Sequence, residues 1–244
     1  MSTAMRLPFD ARGGLIVLVD PGRTAPADAR ILAERAADGG ACGFLVGDSL
    51  GRGGNVAAHI QALRGGAPGL PVVQFPASAD ELSPHVDAVL FLILLSGRNP
   101  RYLVEEQLRA VPFFDQHPEV AAVSTAYLLV DGGRESSVEH VTGTEPLPAD
   151  DADLIAAHVR AGQLMGLHAT YLEAGSGASR RVSEPVIAAA RAATRGPLLV
   201  GGGIATPNDA ACARAAGADF VVVGTLFERE PAAAVHFLAS AART

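Results

Sequence analysis

The chain is 244 residues long and 49% hydrophobic, which suits one large α/β domain, residues 1–244, with a sizeable core. Nineteen basic against 26 acidic side chains give a net charge of −7, which argues against a dominant nucleic-acid surface because phosphate backbones need concentrated positive charge. A local basic patch for a small phosphate ligand is compatible with that balance.

All 19 basic residues are arginine, so lysine Schiff-base chemistry is excluded. Cys42 and Cys212 lack metal-ligand spacing and read as reduced core residues of a cytoplasmic protein. The seven histidines include no metal-binding pair at helical spacing. Met1 to Arg12 lacks the apolar centre of a signal peptide. The longest apolar run, Ala88 to Leu95, is far too short to span a bilayer, so any membrane contact is expected to be peripheral.

In chain order, Gly14 to Val19 reads as a first strand ending in the turn Asp20-Pro21-Gly22-Arg23. A helix over Ala27–Asp38 leads to a second strand, Cys42–Val46, then Gly47-Asp48-Ser49-Leu50-Gly51 and a helix over Asn55–Leu63. Pro71–Phe75 is a third strand with only a short segment, Ser78–Leu82, after it. Val89–Leu94 is a continuous apolar run, as expected of a parallel strand covered on both faces. Pro100 opens a helix to about Ala110, and Val120–Val130 gives a fifth strand. Residues 131–149 read as a long loop. Helices are then expected over Asp150–Met165, Ser183–Thr194, Thr206–Ala216 and Pro231–Ala242, with strands at His168–Leu172, Pro197–Val200 and Phe220–Val223. The alternation predicts an α/β fold, a modified TIM (β/α)₈ barrel lacking the helix after strand three, with a doubly wound open sheet as the rival.

In such a barrel the site lies at the carboxyl ends of the strands. Three late turns stand out there: Tyr171-Leu172-Glu173-Ala174-Gly175-Ser176-Gly177, Gly201-Gly202-Gly203 and Gly224-Thr225. Glycine permits close approach and positive φ, and unpaired N–H groups at helix starts attract anions, so these turns read as a phosphate rim. Asp20, Asp48, Ser49, Gln74 and Asp131 close other strand ends. Asp20 is either a Mg²⁺ ligand or a turn-forming Asp before Pro. Asp48 and Ser49 are a metal or phosphate contact, or a helix cap. Glu173 either accepts a proton from a substrate hydroxyl or pairs with Arg180 or Arg181. Tyr171 either donates to a ligand or is a core aromatic with a satisfied hydroxyl.

These motifs resemble the prenylglyceryl phosphate synthases, the PcrB-like family of geranylgeranylglyceryl and heptaprenylglyceryl phosphate synthases. The resemblance runs from about Leu15 to Glu228 and rests on residues 171–178, Val200-Gly-Gly-Gly-Ile204, Val222-Val-Gly-Thr225, and Asp87 to Pro100 with Gln107 downstream. It implies Mg²⁺-dependent transfer of a polyprenyl group from its diphosphate to a hydroxyl of a glycerol phosphate acceptor, by a homodimer. It assigns the metal to Asp20 and Ser49, and acceptor contacts to Tyr171, Leu172 and Glu173, with Tyr171 and Glu173 catalytic. It assigns the acceptor phosphate to Gly175, Ser176, Gly177, Gly202, Gly203, Gly224 and Thr225, and further substrate contacts to Arg23 and Asn99. Departures sit beside the diphosphate site: Gly22-Arg23 replaces the family's Asp/Asn-Lys, and Asp48 replaces a glycine. These bear on the acceptor, because a branch of the family moves farnesyl to 3-phosphoglycerate in the moenomycin pathway. Two rivals share the late phosphate turns: a phosphosugar isomerase or lyase, and a non-catalytic phosphate binder.

Overall fold

The computed structural model describes residues 8–9, 13–47, 55–229 and 231–241. Eight parallel strands close into a barrel in sequence order: β1 (Gly14–Val19), β2 (Gly43–Val46), β3 (Val72–Gln74), β4 (Ala88–Leu94), β5 (Ala121–Leu129), β6 (Ala169–Glu173), β7 (Leu198–Gly201) and β8 (Phe220–Val223). Closure comes from β8 pairing with β1, with Gly14 opposite Phe220 and Val17 opposite Val223. The helices are α1 (Pro26–Asp38), α2 (Val56–Gly66), α3 (Glu106–Gln116), α4 (Ser137–Thr142), α5 (Ala152–Leu164), α6 (Glu184–Ala193), α7 (Pro207–Ala215), α8 (Thr225–Arg229) and α9 (Pro231–Ala241). The open-sheet rival is thereby excluded. Among the described residues, no helix is long and apolar enough to cross a membrane.

Strand alternation divides the core into two layers. One parity points into the barrel: Ile16, Leu45, Val73, Leu90, Tyr127, Tyr171, Leu199 and Val222. The other meets the helices: Val17, Phe44, Val72, Val89, Leu128, Leu172, Val200 and Val221 pack with Leu32, Ile60, Leu63, Ile155 and Ile187. Burying a side chain of this size contributes roughly 1.5–3 kcal/mol, so both layers are large contributors to the closed form. Leu172, expected to contact substrate, is fully buried in the outer layer; its neighbours Tyr171 and Glu173 take the inward parity.

The helix after β3 is absent, as the sequence predicts. One 3₁₀ turn, Ala79–Glu81, replaces it. Two buried polar side chains hold that connection. Gln74 Nε2 donates to the Glu81 carbonyl at 2.6 Å and its Oε1 accepts from Ser83 N at 2.9 Å. Glu106 Oε2 accepts from Ala79 N at 2.9 Å. Gln74 and Glu106 therefore anchor backbone that no helix organises. Burial opposes the charge of Glu106, but the Ala79 N–H and the guanidiniums of Arg101 and Arg109 outweigh it and hold its carboxyl below the ordinary range.

Three elements differ from the sequence reading. The helix opened by Pro100 begins as a π-helical turn, Arg101–Glu105, and continues past Ala110 to Gln116. Pro112 sits inside it; Leu108, four residues back, is exposed, so the carbonyl that loses its donor can meet water. The stretch 131–149 contains α4, capped by Ser136 and Glu139 in a reciprocal capping box. Cys42 and Cys212 are half-buried and not core residues; Cys42 Sγ donates to the Leu15 carbonyl at 3.1 Å. At α7, Thr206 caps as expected, with Asp209 completing the box. Ser136→Ala should lower unfolding free energy by about 1 kcal/mol in urea denaturation, through α4; an unchanged midpoint and slope would show that this cap contributes nothing.

Candidate active site

The end of β6 places the central group. Glu173 pairs in register with Gly201 of β7, and Tyr171 with Tyr127 of β5. Glu173 is 7% exposed, and its Oε1 accepts from Gly175 N at 2.8 Å. Burial pushes its carboxyl above the ordinary range, against the pull of the Tyr171 hydroxyl and the Gly175 N–H. Tyr171 Oη lies close enough to favour the carboxylate, but its geometry falls short of a formed hydrogen bond. The ion-pair alternative is overturned: Arg180 binds Asp131, while Arg181 binds Glu184 at 2.7 Å and Asp209 at 3.1 Å. Asp131 is thereby occupied as well, and its Oδ1 accepts from Gly133 N at 2.7 Å.

Glycine at 201 and 202 is dictated by this carboxylate. A Cβ on Gly201 would lie 2.6 Å from Tyr171 Oη and 2.8 Å from Glu173 Oε2. A Cβ on Gly202 would lie 2.6 Å from Glu173 Oε1 and 2.7 Å from the nitrogens of Ala174 and Gly175. Gly202 also has φ of +79°, a conformation side chains rarely adopt. The turns at 175–177 and 202–203 thus pack backbone against backbone around one acid. The Gly175 N–H serves Glu173; among the described residues, those of Ser176, Gly177 and Gly203 donate no backbone hydrogen bond. All three can meet an anion.

Across the mouth, Asp20 is 7% exposed, and its Oδ1 accepts from Gly22 N at 2.8 Å. Arg23 spans the gap: Nε lies 3.4 Å from Asp20 Oδ2, and Nη1 donates to Ser176 Oγ at 3.1 Å. Ser176 Oγ in turn lies 3.1 Å from Thr225 Oγ1. The first-strand corner and the late-strand rim therefore share one mouth and one hydrogen-bonded chain. They line a cavity of about 1110 Å³, counting its open mouth, the more polar of the two at this end, with Asp20, Tyr171, Glu173, Ser176, Gly202, Gly203, Gly224 and Thr225 in its wall. Gly224 contributes openness alone, since its φ is not positive.

No group of three His, Cys, Asp or Glu that could cage a metal occurs among the described residues. One buried carboxylate facing a polar cavity does fit Mg²⁺, which takes one or two carboxylates and completes its shell with water and phosphate oxygens. Asp48 and Ser49 lie outside the described residues. Asn99 lines neither of the two cavities at this end; its Nδ2 donates to the Thr142 carbonyl at 3.2 Å and its Oδ1 accepts from Arg101 N at 3.1 Å, which makes it a clamp on the start of the π-helical turn.

A second, apolar cavity of about 850 Å³, again counting its mouth, opens where the helix after β3 is missing. Leu82, Val89, Phe91, Tyr102, Ala110 and Phe114 form part of its wall. Phe75, Tyr127 and Val138 line both cavities, so the two adjoin. Tyr127 went unnoticed in the sequence. Its signal was parity: it is the β5 residue in register with Tyr171.

A closed (β/α)₈ barrel with anion-type glycine turns beside a buried acid defines a barrel enzyme for a phosphate-bearing substrate. Comparison with known proteins narrows that class. The PcrB family model matches residues 10–242, and the chain belongs to the PcrB family. It is 44% identical over 161 residues, 66% of either chain, to a geranylgeranylglyceryl phosphate synthase of Flavobacterium johnsoniae. It is 38% identical to the synthase of that name from Spirosoma linguale, over 91% of this chain and 89% of the other. The crystal structure of (S)-3-O-geranylgeranylglyceryl phosphate synthase from Thermoplasma acidophilum, in complex with sn-glycerol-1-phosphate, superposes with a TM-score of 0.88 at 30% identity, covering 96% of this chain and 93% of that one.

The uncompensated acid has a consequence for stability. A carboxyl raised above its unfolded range destabilises the fold progressively from the pH at which the unfolded group ionises, in full once the folded group ionises too, and costs nothing where both states are protonated. Glu173→Gln, which keeps the acceptor for Gly175 N–H, should therefore raise the melting temperature at pH 8 and leave it unchanged below about pH 4. Melts across that range check the sign, and a loss of stability at pH 8 would contradict it.

Proposed function

We propose that the protein is a Mg²⁺-dependent prenyltransferase. It moves a polyprenyl group from its diphosphate to a hydroxyl of sn-glycerol 1-phosphate and forms an ether lipid. The observation that carries this reading is the meeting of an apolar cavity with a phosphate-type polar cavity at Tyr127, with Glu173 in the wall of the polar side. The names of the related synthases, and the glycerol phosphate in the Thermoplasma acidophilum structure, support it.

The prenyl tail occupies the apolar cavity, where its burial is favourable. The acceptor phosphate sits on the free N–H groups of the 175–177 and 202–203 turns, with Ser176 and Thr225 hydroxyls as further donors. Fixing the phosphate there aims an acceptor hydroxyl at the junction and removes much of the entropy cost of bringing two substrates together. Glu173 takes the hydroxyl proton; a carboxyl raised by burial is a better base than an exposed one. Tyr171, held protonated by burial and by the neighbouring Glu173 charge, donates to a substrate oxygen. Asp20, with Ser49, would hold the Mg²⁺, which neutralises charge on the departing diphosphate. The phosphosugar isomerase or lyase reading gives the apolar cavity no use.

A second acceptor has one observation in its favour. The planar fork of Arg23, set between Asp20 and Ser176, matches a carboxylate better than a lysine would, as 3-phosphoglycerate would require. Purified protein with Mg²⁺ and labelled prenyl diphosphates of several lengths, paired in turn with glycerol 1-phosphate, glycerol 3-phosphate and 3-phosphoglycerate, decides among them. The expected result is an organic-soluble product with glycerol 1-phosphate that vanishes on chelation. Asp20→Asn should lower the rate on the order of 100-fold or more, and Glu173→Gln by roughly 10²- to 10⁴-fold. No product from any pair, or full activity in Glu173→Gln, would overturn the assignment.

A further inference from the structure

We infer that Phe75, Tyr127 and Tyr171 form an aromatic box that holds the positive charge developing on the allylic carbon during transfer. The three rings stand mutually close, each pair 5.5 Å between centroids, at interplanar angles of 77°, 47° and 58°. Phe75 and Tyr127 line both cavities, and Tyr171 lines the polar one. On the prenyl-transfer reading above, the tail lies in one cavity and the acceptor in the other. The reacting carbon then has one place to be, beside these rings. There the bond from that carbon to the diphosphate oxygen breaks and its electron pair leaves with the diphosphate. The acceptor oxygen forms the new bond to carbon, and its proton passes to Glu173. Between those events the carbon carries positive charge, and the electron-rich rings of buried Tyr127 and Tyr171 and half-buried Phe75 are the groups placed to stabilise it and to keep water away.

The cluster belongs to the inner core layer, and it also faces both cavities. Tyr127 is 4% exposed and Tyr171 fully buried, yet neither hydroxyl has a formed hydrogen bond in the protein. A hydroxyl without a partner adds nothing to stability, so what Tyr127 brings to the junction is its ring. The roles assigned above leave Tyr127 unused.

The test uses the full chain and separates ring from hydroxyl. Tyr127→Phe keeps the π-face and should retain kcat within about threefold, with a melting temperature that holds or rises. Tyr127→Leu and Phe75→Leu should each lower kcat by roughly tenfold or more, and should send a larger share of the consumed diphosphate to prenyl alcohol instead of ether. An unreactive probe reads the same site without turnover: a prenyl ammonium carrying its charge at the allylic position, with inorganic diphosphate, should bind the wild type more tightly than prenyl alcohol does. Tyr127→Leu should lose that preference. Unchanged partition and unchanged ammonium preference in both leucine variants would overturn the box, as would a loss in Tyr127→Phe equal to that in Tyr127→Leu. If the wild type transfers no prenyl group to any acceptor, the functional reading itself falls and takes the box with it; an active wild type with indifferent leucine variants removes the box alone.

Discussion

A carboxylate buried without a counter-charge among the described residues is the constraint around which this site is built. Isolating a charge from water is costly, and proteins relieve the cost by pairing or by taking up a proton. Glu173 has two arginines shortly after it in sequence, and both are committed elsewhere, Arg180 to Asp131 and Arg181 to Glu184 and Asp209. What remains is one backbone N–H at 2.8 Å and an adjacent phenol. The barrel thus holds an acid inclined to take a proton at the wall of a cavity. Gly201 and Gly202 follow from it, because any side chain at either would strike the carboxylate.

The missing helix completes the arrangement from the other side. A barrel strand uncovered on its outer face exposes apolar surface, and between β3 and β4 the chain supplies only a 3₁₀ turn. The protein does not refill that space with a helix. Gln74 and Glu106 tie down the short connection by side-chain bonds to its backbone, and α3 and α4 wall the opening. An apolar cavity beside a polar one is the outcome. Phe75, Tyr127 and Val138 form the wall that the two cavities share.

The barrel was legible because its strands are nearly unbroken apolar runs and its turns carry glycine; all eight strands stand within a few residues of their sequence positions. Glu173, Tyr171 and the glycine turns were legible for the same reason, since they end those runs. The outward side chain of Leu172 was not legible, because a motif read as a string ignores that alternate strand residues face opposite ways. The clamp that Asn99 makes was not legible, because it depends on a π-helical segment that directs its amide to the Thr142 carbonyl. Tyr127 was invisible because it sits in an apolar strand, and only the register with Tyr171 lifts it out. The helix α4 escaped notice because it is six residues long; its Ser136–Glu139 box was nonetheless present in the sequence.

Positive charge at the rim is sparse, so an anion bound there would rest mainly on backbone. In a chain of net charge −7, the described cations bonded into the rim are Arg23, to Ser176, and Arg134, to the Gly177 carbonyl at 3.2 Å. Both bonds are to exposed or half-exposed groups, where ion pairing is screened by salt and worth little. Backbone N–H groups at Ser176, Gly177 and Gly203 are fixed dipoles that cost nothing to orient at the moment of binding. Such a rim depends on backbone angles more than on charge. That is why Gly175, Gly177, Gly202 and Gly203, with φ between +69° and +97°, gather at this one mouth. Any β-carbon there meets the strain of positive φ, and at 202 and 203 it also meets backbone atoms within 3 Å.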